Sequence, residues 1–511
     1  MKKYFLFILI VSLSLNLIAQ QKDIPPKIAQ KGFTKIDFLS INMPEAEIPN
    51  EPNMGFSGIH YNIFLNKDIY AGIGIYGSVT GKRGGFFTLG VNAGYKKFLT
   101  KKLYIDTGFH FGGGGGAGAQ DGGGAFILPH FNLGYDFKYF SVNTGYSYVN
   151  FFDDGLIKGN QLNFGLEIPL NYEYAHYKES EKRFSFKHLK TSNWNQKSKT
   201  NSLMIHLNNL DVTRALPNRE QIIEGKTIRL AGFEFANYFT ENWFAFVKVD
   251  GAYDGIRAGF MDVFLGGGYH YSFNRNRTNI LGKFSLGAAG GGGVDSDGGF
   301  MISPDISIEQ KIFDNTFIAI NKGYILTPSQ VFSSSSYGIG LKYYANRNGT
   351  NSDKKTFKSG IFKGVDFIVK HDWYFDAKRM ENPTEDMHQI ALQINLDLNK
   401  YLYVAGQTAF ANFGNAGAYG EGLIGLGVKS KDIIAINTRF FGQFLAGAAG
   451  GGNISTGEGF IIKPSVGAEY KINKKIRLRS SVGYVKAKGG SLSNTFVNLG
   501  INYNFSFLNM K

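Results

Sequence analysis

The stretch TFVNLGINYNFSF, residues Thr495 to Phe507, alternates between apolar and polar side chains. The apolar set is Val497, Leu499, Ile501, Tyr503, Phe505 and Phe507, and the set between them is Asn498, Gly500, Asn502, Asn504 and Ser506. Successive side chains of a β-strand point to opposite faces. The stretch therefore predicts a strand with one apolar and one polar face, as long as the ~9 to 11 residues that cross a bilayer at a tilt.

The same alternation occurs at Gln389 to Leu398 and at Phe460 to Ile472. Turn residues divide the last third of the chain into about eight such strands. Tight turns such as Asn399-Lys400 alternate with longer loops such as Gly450 to Gly459. Short turns at one end and longer loops at the other are typical of outer-membrane barrels, whose short turns are periplasmic.

A Gly-rich hairpin occurs three times, at residues 111–130, 286–305 and 446–465. Its sequences are FGGGGGAGAQDGGGAFILPH, LGAAGGGGVDSDGGFMISPD and AGAAGGGNISTGEGFIIKPS. The repeated residues are Pro129, Pro304 and Pro464 together with the glycines 36 positions later, Gly165, Gly340 and Gly500. This fixed spacing predicts three copies of one structural unit.

The repeat and the composition of the segments between the copies give the predicted domain boundaries. Residues 1–20 read as a signal peptide, with two lysines followed by an apolar run. The predicted β-barrel units are residues 33–172, 200–345 and 362–507. The segments 173–199 and 346–361 are polar and basic, and we expect them to be solvated, disordered connectors, with adhesion to anionic lipid as the alternative.

Composition excludes several classes of protein. The chain has no cysteine, which rules out disulfides, thiolate metal sites and the lipoprotein export route. No segment after the signal peptide is a continuous apolar run of the length that a membrane-spanning helix needs. The formal net charge of +15 owes much to the two linkers, so we predict no nucleic-acid partner. Aromatic residues make up 15% of the chain and glycines number 67, which favours exported β-structure.

The chain resembles outer-membrane β-barrel proteins, particularly the small eight-stranded kind, over nearly all of its predicted mature length. The resemblance implies an all-β, antiparallel, up-and-down transmembrane β-barrel in the outer membrane, here built from three homologous units of about eight strands. Three tandem barrels are the first expectation, one barrel of about 24 strands is the alternative, and soluble up-and-down barrels come third. In contrast to such proteins, which end on an aromatic residue, this chain continues past Phe507 with Leu508, Asn509, Met510 and Lys511.

Parity along the strands predicts which polar residues face the lumen. The residues expected there, as structural pairs or as a pore lining, are Asn437, Arg439, Gln443, Lys463, Glu469, Arg477 and Arg479. In a dry lumen an unpaired charge costs several kcal/mol, so Glu469 is expected to pair with an arginine. The acids Asp121, Asp297 and Glu458 are predicted at external loop tips, where an acid before glycine favours a tight turn over a cation site.

We predict no catalytic, cofactor-binding or metal-binding residue and no cofactor. The first functional expectation is a non-enzymatic outer-membrane protein with a structural, adhesive or envelope-complex role. It would present Gly-rich and acidic loops outward, with outer-membrane lipid and other envelope proteins as partners. The alternative is a pore or transporter formed by one large barrel. A third hypothesis, a lipid-modifying enzyme, would use His60, His110 or His130 of the first unit.

Overall fold

The computed structural model describes residues 23–44, 48–216, 222–352, 355–381 and 383–511, and the predicted signal peptide lies outside them. These residues form 27 β-strands, one short helix, α1 (Phe186–Lys190), and two single 3₁₀ turns, Tyr177–Glu179 and Ile434–Ile436. No helix in this part of the chain is both long and apolar enough to span a membrane.

The first unit, unit 1, follows a short strand, β1 (Ile28–Gln30). Its eight strands are β2 (Gly32–Ile41), β3 (Met54–Phe64), β4 (Ile69–Thr80), β5 (Phe87–Phe98), β6 (Leu103–Gly115), β7 (Phe126–Asp136), β8 (Ser141–Phe151) and β9 (Lys158–Pro169). Each strand pairs antiparallel with the next, and β9 pairs back onto β2 with Gly165 opposite Asp37. Unit 1 is therefore a closed sheet of its own.

The segment after unit 1 holds β10 (Tyr172–Tyr174), β11 (Arg183–Ser185) and α1. Unit 2 consists of β12 (Lys199–Ala215), β13 (Thr227–Tyr238), β14 (Trp243–Asp254), β15 (Met261–Phe273), β16 (Thr278–Gly290), β17 (Phe300–Phe313), β18 (Thr316–Leu326) and β19 (Phe332–Arg347). Unit 3 consists of β20 (Ser359–Ala377), β21 (Glu385–Asp397), β22 (Leu402–Phe413), β23 (Gly420–Lys429), β24 (Thr438–Gly450), β25 (Phe460–Lys471), β26 (Ile476–Ala487) and β27 (Ser493–Met510).

Units 2 and 3 belong to one continuous sheet. Strands β11 to β27 form a 17-stranded sheet that curls back on itself twice, because β12 also pairs with β19 and β20 with β27. The two curls are joined where Asn346 and Arg347 of β19 pair with Met510 and Asn509 of β27. The prediction of three separate barrels in tandem is therefore corrected, since units 2 and 3 are hydrogen-bonded into one sheet.

The first linker is ordered, so the prediction of a disordered connector at residues 173–199 is wrong. Strand β10 pairs with β1 and β11 pairs with β20. Apolar residues placed among the lysines of this linker explain the order, because Trp194 and Leu189 are fully buried against Phe362 and the end of β27. The residues after Phe507 belong to the same apolar cluster as Trp194 and Leu189, since Leu508 and Met510 are fully buried in it.

The strands show the face alternation expected of a membrane barrel. Outward residues such as Leu162 and Leu499 are 71% and 58% exposed, although they are large and apolar. Inward residues such as Lys463 and Arg479 are each 1% exposed, although they are charged. An apolar exterior around a polar interior is the pattern of a barrel surrounded by lipid.

The three units contact one another in a cyclic order. The third strand of each unit meets the fifth strand of the next: β4 meets β16, β14 meets β24, and β22 meets β6. An apolar cluster drawn from all three units packs where they meet, with Phe87, Leu89, Val263, Ala288 and Phe410 at its centre. The molecule is therefore a pseudo-threefold assembly within one chain.

The Gly-rich hairpins lie at these three contacts. A methyl group on Gly290 would lie 2.6 Å from the backbone nitrogen of Gly85, and one on Gly450 would lie 2.5 Å from that of Gly259. The equivalent atoms of the third contact, a methyl group on Gly115 and the nitrogen of Ala418, would be 2.8 Å apart. Neighbouring backbones approach so closely here that a Cβ on these glycines would clash, which accounts for the tripled motif.

The repeated prolines mark a second shared feature. In each unit the pairing between the sixth and seventh strands is interrupted at Pro129, Pro304 or Pro464 and resumes at the residue after it. Proline has no backbone N–H to donate to the ladder, so the gap follows from its chemistry. The repeated glycines Gly165, Gly340 and Gly500 lie on the eighth strands and are buried on the inner face.

Candidate functional site: the charged interior and basic mouth of unit 3

The interior of unit 3 contains a connected column of charged side chains. Arg439 donates from Nε to Glu469 at 2.7 Å, from Nη2 to both carboxylate oxygens of Asp366 at 3.0 Å, and from Nη1 to the Tyr177 hydroxyl at 2.9 Å. Arg479 pairs with the other oxygen of Glu469 and donates to Gln443 at 3.0 Å. Two arginines therefore share one buried glutamate.

A second group of charges lies nearer the loop end. Lys463 pairs with Asp372 at 2.7 Å and also with Glu421, and Lys370 lies 3.3 Å from Asp372. The Tyr374 hydroxyl donates to Glu421 at 2.8 Å. All of these side chains are almost completely buried. Beyond them an apolar cluster closes the external end, with Met387, Leu423, Ile454, Leu492 and Phe496 among its members.

The opposite end opens into a cavity of about 280 Å³ at the short turns of unit 3. Eight lysine and arginine side chains line this cavity, against three carboxylates, so its formal charge is strongly positive. Tyr177 of the linker covers the entrance to the column, with its hydroxyl bonded to Asp397 at 2.8 Å and to Arg439 and Lys429. We call this cavity the basic mouth.

Electrostatics at the basic mouth reflect its excess of cations. Burial lowers the pKa of His176 below its usual value, and the nearby Lys474, Lys475 and Lys178 lower it further. Burial acts to raise the pKa of Asp432, but the hydrogen bond and charge of Arg477 outweigh it and hold this pKa below its usual value. Protonated histidine is disfavoured here and ionised aspartate is favoured, as expected in a positive field.

The structure distributes the predicted lumen residues over two places. Arg439, Gln443, Lys463, Glu469, Arg477 and Arg479 are all buried in the interior of unit 3. Asn437 is not, because a 3₁₀ turn at Ile434–Ile436 precedes it and places it, exposed and with a φ of 49°, in the turn before β24. Sequence reasoning missed Asp366, Asp372, Glu421 and Lys429, although the same alternation along β20 and β23 could have found them.

The three loop acids differ from one another. Asp297 and Glu458 are exposed, and Asp297 has the positive φ of 46° expected of a tight turn. Asp121 is buried and accepts a hydrogen bond from the backbone nitrogen of Gly116 at 2.7 Å. Among the described residues, no group of three or more His, Cys, Asp or Glu side chains could hold a metal ion.

The histidines of the third hypothesis lie inside unit 1. His60 contacts Asp37 at 3.0 Å, His130 lies 3.3 Å from Asp106, and His110 contacts Asn92 at 2.6 Å. His60 and His110 are only 4% and 3% exposed, and their rings are 5.3 Å apart. Both rings are therefore buried in the interior of unit 1.

No protein-family model matches the chain, and no curated protein matches it. Among solved structures, it is similar to OccK5 (OpdH) of Pseudomonas aeruginosa, with 8% identity, a TM-score of 0.22, and coverage of 94% of this chain and 98% of that one. OccAB3 of Acinetobacter baumannii matches with 10% identity, a TM-score of 0.21 and coverage of 94% and 99%. The KdgM porin in complex with oligogalacturonate matches with 10% identity, a TM-score of 0.15 and coverage of 59% and 98%.

The KdgM neighbour is described as a porin, and the antiparallel barrel architecture of this chain is shown by its own strand pairing. The prediction of three tandem barrels is corrected by the strand pairing of this chain, which joins units 2 and 3 in one sheet. The main functional prediction, a structural, adhesive or complex-forming role, is likewise corrected, because the porin among these neighbours agrees better with the pore alternative.

Proposed function

We propose that the protein is an outer-membrane pore or transporter and that its passage is the charged interior of unit 3. The observation that carries the proposal is the polar column that starts at the basic mouth and continues past Arg439, Glu469 and Lys463. The lumens of membrane barrels that conduct are lined by polar side chains, and charged side chains in a pore set its ion selectivity.

The passage is closed at both ends in this structure. Tyr177 covers the basic mouth, and the apolar cluster around Phe496 closes the external end. Conduction therefore requires both to move. Tyr177 lies on a linker segment, outside the strands of the sheet, so its displacement breaks hydrogen bonds without unpairing any strand.

We expect the conductance to be small. The charged side chains of the passage are buried and paired with one another, as Arg439, Glu469 and Lys463 are, so they fill most of the interior of unit 3. A passage through unit 3 is therefore narrow, and its excess of cations at the basic mouth favours anions over cations of similar size.

Single-channel recording in planar bilayers tests the proposal. We expect Tyr177→Gly to increase the open probability several-fold, and the combination of Tyr177→Gly with Phe496→Ala to increase it further. The matched control is Tyr139→Gly, since Tyr139 lies on a short turn of unit 1 and is 76% exposed. If neither variant conducts, although both keep the heat-dependent gel mobility of a folded barrel, unit 3 is not the passage.

A further inference from the structure

One arginine in the basic mouth has unused hydrogen-bonding capacity. Arg477, the second residue of β26, is 4% exposed and donates from Nη2 to Asp432 at 2.8 Å. Its Nε and Nη1 atoms are also buried, yet neither meets an acceptor among the described residues. Leaving buried donors of a charged group unpaired costs more than leaving neutral ones unpaired, so the site is energetically incomplete as it stands.

The surroundings of Arg477 show what would complete it. Lys429, Lys471 and Lys474 line the same cavity, and the cavity volume of about 280 Å³ leaves room for a small polar group. A guanidinium holds its N–H donors in fixed directions, so a free donor of Arg477 can bind a phosphate oxygen, and ammonium groups add point charges around it. The nearest carboxylate, Asp432, occupies only one of the guanidinium donors.

The site is particular to unit 3. Arg477 lies six residues before the repeated glycine Gly483, and the residue six before the equivalent Gly323 of unit 2 is Phe317, which packs into an apolar cluster. A basic mouth common to all barrel units would be explained by attraction to a membrane surface. A buried, half-paired arginine in one unit alone points instead to a specific ligand.

We propose that the basic mouth of unit 3 binds a phosphate group, with the free N–H groups of Arg477 as its main donors. The phosphate is either the headgroup of a phospholipid in the periplasmic leaflet or a soluble phosphate compound. Both sources present the same oxygens, and the short turns that form the site lie at the predicted periplasmic end of the strands. The proposal does not depend on conduction through unit 3.

Calorimetry on the full-length protein in detergent, with inorganic phosphate as the probe, tests the site directly. We expect binding of one phosphate per chain, and Arg477→Gln should weaken it about tenfold or more, as loss of charge-assisted hydrogen bonds does. Arg275→Gln is the matched control, because Arg275 is an exposed arginine on a short turn of unit 2. It should leave phosphate binding unchanged.

Lipid analysis then separates the two sources. Phospholipid that copurifies with the wild-type protein and is lost in Arg477→Gln identifies a headgroup, whereas phosphate binding without such lipid identifies a soluble compound. Equal phosphate binding and equal lipid content in the wild-type protein and Arg477→Gln would overturn the proposal. Both variants must keep the heat-dependent gel mobility of the wild type, and no conductance measurement enters the result.

Discussion

At the scale of single residues, the alternation along the strands predicted which side chains face the interior of unit 3. The same reasoning failed for a residue in a turn. Arg439, Glu469 and Arg479 lie inside unit 3, where alternation along β24, β25 and β26 puts them. The expected pairing of Glu469 with an arginine is present, in fact with two. The position of Asn437 was predicted wrongly because Asn437 lies in a turn with a positive φ. The alternation of side chains along a strand gives no information about where a turn residue points.

The shared glutamate gives the sharpest prediction at this scale. Glu469→Gln removes the charge that Arg439 and Arg479 share, and Asp366 remains to balance only Arg439. Breaking a buried ion pair from one side typically costs about 3 to 5 kcal/mol, so we expect a loss of stability of that order. Urea unfolding in detergent measures it.

Glu458→Gln is the control for this change, because Glu458 is exposed at the tip of a loop. Surface substitutions of this kind usually change stability by less than about 0.5 kcal/mol. Equal unfolding midpoints for the two variants would show that the charge of Glu469 contributes little to the stability of the protein.

At the scale of elements, the sequence revealed the Gly-rich hairpins and their number, but it did not reveal their partners. Local spacing shows that a hairpin recurs, whereas the contacts of these hairpins run between residues far apart in the chain, such as Gly290 with Gly85. Tight turns alone would explain the glycines with positive φ. Gly450 has no such φ and is required by the close approach of Gly259.

Gly450→Ala tests the close approach without adding backbone strain. The new methyl group would overlap Gly259 and Ala258 of unit 2, and overpacking of this kind costs about 1 to 3 kcal/mol. We expect lower thermal stability and faster hydrogen exchange at the contact between β14 and β24. Gly442→Ala on the same strand is the control, since its methyl group meets only ordinary contacts at 3.7 Å or more.

The control variant, Gly442→Ala, also has an expected effect on stability. Replacing a glycine by alanine where the backbone permits it usually stabilises a protein by about 0.4 to 1 kcal/mol through the unfolded chain. Gly442→Ala should therefore be neutral or slightly stabilising. A loss of stability in both variants would mean that strand propensity, rather than the contact between units, decides the result.

At the scale of the whole molecule, the sequence predicted the class of fold and the three units. It did not predict that units 2 and 3 are joined in one sheet. The reason is visible in the linker, whose lysines suggested a solvated chain while its few apolar residues were overlooked. Trp194 is fully buried, stacks edge-on against Phe362 with 5.3 Å between ring centres, and donates to the carbonyl of Pro25 at 2.8 Å. Such a cluster cannot be recognised before its partners at the two ends of the chain are known.

Trp194→Ala should release this cluster. Truncation of a buried tryptophan costs about 3 to 5 kcal/mol, so we expect the linker to become sensitive to protease while the strands stay protected. Limited proteolysis with mass spectrometry locates the cleavage sites. Tyr139→Ala, on an exposed turn, should leave the pattern of the wild type, and protection of residues 173–198 in both variants would contradict the assigned role of Trp194.

The cyclic contact between third and fifth strands has a consequence for how such a protein can change over generations. In an assembly of three identical chains, every substitution appears three times. A residue that is favourable in one chain is therefore present in the other two as well, where it can reduce stability or function. Three units encoded in a single gene are released from that constraint. A lone arginine at position 477, with phenylalanine at the matching position of unit 2, is the kind of divergence that fusion permits.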